Sequence, residues 1–294
     1  MASAATGSFV PVVADSLALT SGLVVLLGGR TPGGSKNETR FGQLETGQQV
    51  VVKVQAHHGR LDLENQALSF LAGTSVPTPR VVEFGTSLDG QPVLIITRHH
   101  GVRATGPAGW QRFGRALAGL SSVSVEGWPL TVVTTDEFVA DHRGRLKQLA
   151  TVIDQTLVDH IDDALRAIEM TPVPLRLAHG DAGSGNYLDD GMNGTILDWE
   201  TASVSPFGVD VGRGAFIALM DLGRIGHPIA QHDAFIVGYR NALPDSSALD
   251  DKTLNAWTIV AALQFIHGRH IQPLRADRTP QAAVQTLTDY LVRR

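Results

Sequence analysis

The 294-residue chain predicts an α+β protein in two parts, a small mixed β-sheet with one helix followed by a larger, mainly helical part. Two observations carry this. Up to Thr97, short apolar runs are cut by Gly, Pro and Asp turns, the texture of strands. Beyond it, apolar residues recur three and four apart over long stretches, the texture of helices. Domains 1–98 and 99–294 follow from the change. Charge shifts at the same place. Residues 1–98 carry 7 Lys/Arg and 7 Asp/Glu, and residues 99–294 carry 17 and 22, so the acidic excess behind the net charge of −5 lies in the second part.

Taken in order, Leu23–Leu27 is a β-type run ending in Gly28-Gly29. Thr39–Leu44 and Gln48–Gln55 flank Glu45-Thr46-Gly47 and read as a hairpin. Leu61–Leu71 has apolar residues at helical spacing, and Pro77 and Pro79 break the chain after it. Arg80–Gly85 and Pro92–Thr97 read as two strands joined through Asp89-Gly90. Segments 107–120, 136–170, 206–222, 228–242, 247–268 and 280–293 read as helical. Residues 175–200 interrupt them with short strands and loops.

Composition narrows the class. Hydrophobic content of 43% against 18% charge suits a chain with a true core. Without cysteine there is no disulfide, thiolate metal site or Cys nucleophile. The first basic residue is Arg30 and the run Leu23–Leu27 is too short for a signal or a membrane span, so a cytoplasmic protein with no membrane partner is expected. The acidic second part argues against nucleic acid and favours a cationic or neutral small molecule.

The most informative stretch is His179-Gly-Asp-Ala-Gly-Ser-Gly-Asn186, followed by Thr195-Ile-Leu-Asp-Trp-Glu200. Asp181 and Asn186 are separated by residues too rich in glycine for a helix, so they share a loop that can fold back on one point. Asn193-Gly194 offers a tight turn, and the short strand Thr195–Leu197 then returns Asp198 to the same place. Two carboxylates and an amide converging in this way form a hard oxygen donor set suited to Mg²⁺. Singly, each Asp also reads as a turn residue or helix cap.

This pattern resembles the aminoglycoside phosphotransferase and choline kinase superfamily, relatives of protein kinases, which carry H-G-D-x-x-x-x-N and then an apolar stretch ending in D-W or D-F. Pro206-Phe-Gly-Val-Asp210-Val211 resembles the family's continuation. The resemblance implies a bilobal protein-kinase-like fold with the active site in the cleft between the lobes. It implies an O-phosphotransferase that uses Mg²⁺ and ATP or GTP. Asp181 would be the catalytic residue, Asn186 and Asp198 the metal ligands, His179 a brace for the loop, and Asp210 a structural acid.

The family also has a phosphate-anchoring Lys on a strand and a Glu on the next helix. Lys53 lies inside the apolar run Val50–Val54, and Glu64 follows on the expected helix. A charge in such a strand is costly unless paired, which a Lys–Glu pair would account for. Gly33, Gly34 and Ser35 resemble the family's phosphate-covering loop. Gly29-x-x-x-x-Gly34-Ser35-Lys36 mimics a P-loop, but its last two residues are in the wrong order and a hairpin follows where a helix is needed. The adenine-contacting hinge would fall at Ile96-Thr97-Arg98-His99, with Thr97 and His99 contributing backbone groups.

Departures from the family are informative. Ala182-Gly183-Ser184-Gly185 replaces the usual L-H-P-G at equal length, and Glu200 is expected as a salt-bridge partner. Gly180 stands where protein kinases have the Arg that senses a phosphorylated loop, so that mode of control is not expected. The histidines include the helical pair His267 and His270, but none meets a third ligand at metal spacing. The resemblance makes an antibiotic the first expected acceptor, for resistance or self-protection. A metabolic sugar, amino alcohol or homoserine-like substrate is the alternative. A pseudokinase-like binding module and a Mg²⁺-dependent hydrolase are the readings from other classes.

Overall fold

The computed structural model describes residues 15–31, 37–56, 59–220, 228–245, 249–271 and 279–293. The described chain divides into two compact units, one from Met1–Ser69 with Pro79–Arg98, the other from Phe70–Thr78 with His99–Arg294.

The first unit holds β1 (Ser16–Ala18), β2 (Val24–Arg30), β3 (Asn37–Leu44), β4 (Gln49–Gln55), most of α1 (Leu61–Leu71), β5 (Val81–Thr86) and β6 (Pro92–Thr97). The sheet order is β1-β2-β3-β4-β6-β5. Every pairing is antiparallel, so the sheet is not mixed as the sequence suggested. The crossover through α1 does join two strands of the same direction, β4 and β5. The β5–β6 hairpin folds back, however, and seats β6 between them. β1 is too short to show alternation and has no sequence signal of its own; it is held by its pairing with β2. A bridge between Leu19 and Ser87 links the chain after β1 to the chain after β5, so the sheet curls toward closure.

Alternation decides which side chains the sheet buries. Val50 and Val52 join Leu19, Val25, Leu44, Val93 and Ile95 in an apolar cluster on one face. Lys53, one residue out of phase with them, is turned to the opposite face. On α1, Leu61, Glu64, Leu68 and Leu71 form one buried stripe. A carboxylate thus occupies a core position of an amphipathic helix.

The second unit contains β7 (Val102–Arg103), α2 (Gly106–Ala118), α3 (Thr135–Leu149), α4 (Gln155–Met170), β8 (Leu175–Ala178), β9 (Tyr187–Asp189), β10 (Gly194–Ile196), β11 (Ser203–Pro206), α5 (Val209–Met220), α6 (Pro228–Ala242), α7 (Asp251–Ile271) and α8 (Pro280–Val292). The segment expected as one helical stretch over 136–170 is two helices. Asp154 stops the run by capping α4, its carboxylate accepting from the Leu157 N–H at 2.9 Å. Thr134 and Glu137 form a reciprocal capping box at the start of α3. The start expected at 206 shifts to 209, because Pro206 ends a strand paired with β8.

β9 and β10 make the short hairpin foreseen around Asn193-Gly194, with its turn displaced. Gly194 already pairs with Asp189, and the turn is Asp190–Asn193. Asp190 fixes it by accepting from the N–H groups of Met192 at 2.8 Å and Asn193 at 2.6 Å. Tyr187 of β9 stacks on Phe113 of α2 with ring centroids 4.8 Å apart, which anchors the hairpin to the helical core. Phe113 in turn meets Phe235 of α6.

Candidate functional site

The loop 179–186 is held from below by one face of α5. Asp210, in the first turn of that helix, accepts from the backbone N–H of His179 at 2.6 Å and of Gly180 at 2.9 Å. Burial pushes the Asp210 carboxyl up, opposed by these two donors and by the Arg213 guanidinium. One turn further, Arg213 forms an ion pair with Asp181. Another turn on, Ile217 lies against Gly183. Residues three and four apart on a helix share a face, so 210, 213 and 217 form one strip beneath the loop.

His179 is fully buried and ties the loop to the hairpin. Its ring donates from Nε2 to the Leu197 carbonyl at 2.8 Å and accepts at Nδ1 from the Asp181 N–H at 3.2 Å. Its edge meets Trp199 at 4.8 Å between centroids. Between His179 and Asp181 the backbone passes through φ +79° at Gly180, and a Cβ there would lie 2.5 Å from the Thr201 carbonyl oxygen. Only glycine meets both conditions.

Asp181 is part-exposed, and both its oxygens are engaged. Oδ1 takes Arg213, and Oδ2 accepts from Asn186 Nδ2 at 3.0 Å, which also donates to the Asp181 carbonyl at 3.0 Å. Burial is the largest single influence and works to raise the carboxyl, but the Arg213 charge, His179 and the hydrogen bonds from Arg213 and Asn186 together outweigh it, and the group is held below the usual carboxylate range. The amide nitrogen of Asn186 is therefore committed to Asp181, which leaves Oδ1 as the atom Asn186 can offer a cation.

Hairpin register ties the backbone just before Asp198 to Asn186. Ile196 faces Tyr187, and one step on Leu197 donates its N–H to the Asn186 carbonyl at 2.8 Å. Asp198 then turns left-handed at φ 67°, the one non-glycine residue with positive φ among those described. Asp tolerates this better than most residues, yet it stores about 1 kcal/mol of strain. Trp199 locks the bend by donating from its indole N–H to the Ile196 carbonyl at 3.0 Å. Asp198 and Asn186 offer oxygen donors of the kind a hard divalent cation takes, and two protein ligands suit Mg²⁺ that fills its shell with phosphate oxygens and water. Glu200 is buried in the turn beyond.

In the strand-rich unit, Lys53 and Glu64 form the pair foreseen, with Nζ 2.7 Å from both carboxylate oxygens. Thr97 ends β6 with its N–H donated to Arg80 and its hydroxyl accepting the Arg80 N–H at 2.9 Å. His99 opens the second unit, its Nδ1 3.1 Å from the Thr195 hydroxyl. Burial, then the neighbouring His100, holds its imidazole below the usual range. Gly33, Gly34 and Ser35 lie outside the described residues.

Arg213 was not anticipated. In sequence it is a lone basic residue in an apolar helix, and its only signal is the three-residue step from Asp210. Among the acids of the second part, Glu137 is spent on its helix cap and Asp210 on the loop.

The model of the phosphotransferase enzyme family matches residues 30–250. No curated protein sequence matches. Among solved structures, a thermostable mutant of aminoglycoside phosphotransferase APH(4)-Ia in ternary complex with ADP and hygromycin B is similar at 18% identity and TM-score 0.65, covering 91% of this chain and 93% of that one. Macrolide 2'-phosphotransferase MphH from Brachybacterium faecium is 16% identical with TM-score 0.61, covering 90% and 93%. A choline/ethanolamine kinase family protein from Mesorhizobium loti is 17% identical with TM-score 0.64, covering 90% and 87%. At these identities the likeness is one of fold.

Proposed function

This chain belongs to the phosphotransferase enzyme family, and on that premise we propose that it moves the γ-phosphoryl of ATP or GTP to a hydroxyl of a small molecule. The observations that support the reading are the Asn186 side-chain nitrogen spent on Asp181, which leaves its oxygen to offer a cation, and the backbone tie from Leu197 to Asn186 one residue before Asp198.

Asn186 and Asp198 hold Mg²⁺ in this reading, and Lys53, steadied by Glu64, holds the α- and β-phosphates. A bound Mg²⁺ would offset the negative charge of the phosphates. Asp181, kept ionised, accepts a hydrogen bond from the acceptor hydroxyl and so aims its oxygen at the γ-phosphorus. The new O–P bond forms as the bond from phosphorus to the β,γ-bridging oxygen breaks, and the hydroxyl proton leaves through Asp181 to solvent. A carboxylate held this low is a weak base, so orientation is its main contribution. Backbone groups at Thr97 and His99 meet the base in this reading.

An antibiotic is the first acceptor class, supported by the likeness to aminoglycoside and macrolide phosphotransferases. The likeness to a choline/ethanolamine kinase family protein supports a metabolic amino alcohol as the second. The test is a panel of hydroxylated antibiotics and metabolites incubated with Mg²⁺ and ATP or GTP and read by an 80 Da mass gain, about the mass of one added phosphoryl. Asp181→Asn should lower transfer by about a hundredfold or more while the protein is still stabilised by Mg²⁺ and a non-hydrolysable nucleotide. Undiminished transfer by Asp181→Asn would end the assignment. Nucleotide binding without turnover on any acceptor or water would favour a pseudokinase-like module.

A further inference from the structure

Asp210 and Arg213, one turn apart on α5, grip three consecutive residues. Asp210 takes the backbone of His179 and Gly180, and Arg213 takes the side chain of Asp181. The two contacts differ in kind. Asp210 fixes where the loop runs, whereas Arg213 fixes which way one carboxylate points. A carboxylate on a short side chain has two torsions to settle. Asn186 on Oδ2 alone leaves it free to swing about that bond; a second contact on Oδ1 removes the freedom.

From this we infer that Arg213 is a positioning residue for phosphoryl transfer, acting through Asp181. The inference rests on the phosphotransfer reading above and adds to it a residue that touches neither the nucleotide nor the acceptor. Arg213 is only 17% exposed at its side chain, and its planar head pairs with a carboxylate that a cation from solvent would reach less specifically. In the transfer step Arg213 neither gains nor loses a proton. It holds Asp181 in the orientation that receives the acceptor's hydroxyl hydrogen while the acceptor oxygen bonds to the γ-phosphorus and the nucleoside diphosphate departs.

The test uses Mg²⁺ with ATP or GTP, water serving as acceptor until a better one is found, and compares Arg213→Gln, Arg213→Lys, Asp181→Asn and the double variant Arg213→Gln/Asp181→Asn. Arg213→Gln should lose about a hundredfold in kcat, keep its KM for nucleotide, and keep its thermal stabilisation by a non-hydrolysable nucleotide. Arg213→Lys, which restores one donor and the charge, should recover a substantial part of kcat. The double variant should be no slower than Asp181→Asn alone, because a residue acting through Asp181 has nothing left to position. Equal kcat in Arg213→Gln and wild type, a loss confined to KM, or additive losses in the double variant would each overturn the role. Should Arg213→Gln fail to fold, Arg213→Lys against wild type decides: a partial loss in kcat with KM for nucleotide kept supports the role, and an unchanged kcat or a loss in KM alone overturns it. A wild-type protein that turns over neither nucleotide overturns the phosphotransfer reading itself, and the role with it.

Discussion

Lys53 and Glu64 meet as a symmetric ion pair, the ammonium 2.7 Å from each carboxylate oxygen, with side-chain exposures of 11% and 1%. The pair lies where β4 has turned its polar residue away from the valine cluster and α1 has placed an acid on its apolar stripe. Two mismatched local signals thus satisfy one another.

Removing one partner strands the other. Lys53→Met should cost about 3–5 kcal/mol in denaturant unfolding, and the double variant Lys53→Met/Glu64→Leu should regain much of it. Stabilisation by a non-hydrolysable nucleotide should be weakened in both. If the double variant were as unstable as the single, the pair would not be the source of the loss.

Asp210 supports the loop with two acceptor oxygens, and an amide has only one. Asp210→Asn should set its NH₂ against a backbone N–H and cost about 2–3 kcal/mol. Hydrogen exchange at His179 and Gly180 should speed up before the rest of the second unit. Unchanged protection at those two amides would show that the loop is held by other means.

Asn186→Ala and Asp198→Ala should each raise the Mg²⁺ concentration for half-maximal nucleotide-dependent stabilisation by about tenfold or more. The readout is a Mg²⁺ titration of the melting temperature at fixed nucleotide. Curves that overlay the wild type would remove these residues from the metal site.

His142 gives a pH dependence unrelated to the site. Burial pushes its imidazole down to about 4 from 6.5, while its Nδ1 stays bonded to the Phe138 carbonyl at 2.8 Å. The folded ring is thus harder to protonate than the unfolded one. Its neutral form leaves stability whole above pH 6.5, and stability falls as pH drops from 6.5 toward 4, by about 3 kcal/mol in all. His142→Phe should flatten that part of the profile whatever it does to stability at pH 7. An equal slope in both proteins would place the acid sensitivity elsewhere.

How much the sequence disclosed depended on how local each signal was. The β3–β4 hairpin and α1 were legible because turn chemistry and apolar spacing are written in neighbouring residues. So were the pairing of Asp181 with Asn186 across a glycine-rich loop and the short hairpin that returns the chain to Asn186 one residue before Asp198. β1 and β7 hold three and two residues and exist through their partners. The break between α3 and α4 carries no Pro or Gly, and Asp154 alone marked it. The antiparallel sheet depends on where β6 inserts, which no single segment encodes. Arg213 acquires its meaning only when α5 is laid under the loop.

The β9–β10 hairpin also constrains how this chain and its relatives can change in length. It works as a ruler, counting Asn186 against Leu197 and so setting the distance to Asp198. Residues added at its tip, within Asp190–Asn193, leave every pair in register. One residue added between Asn186 and Asp189 would turn successive side chains to the opposite faces and carry the amide away from the carboxylate. Insertions and deletions should therefore accumulate at the tip and be absent from its legs, and a deep mutational scan for nucleotide-dependent folding would record that boundary directly.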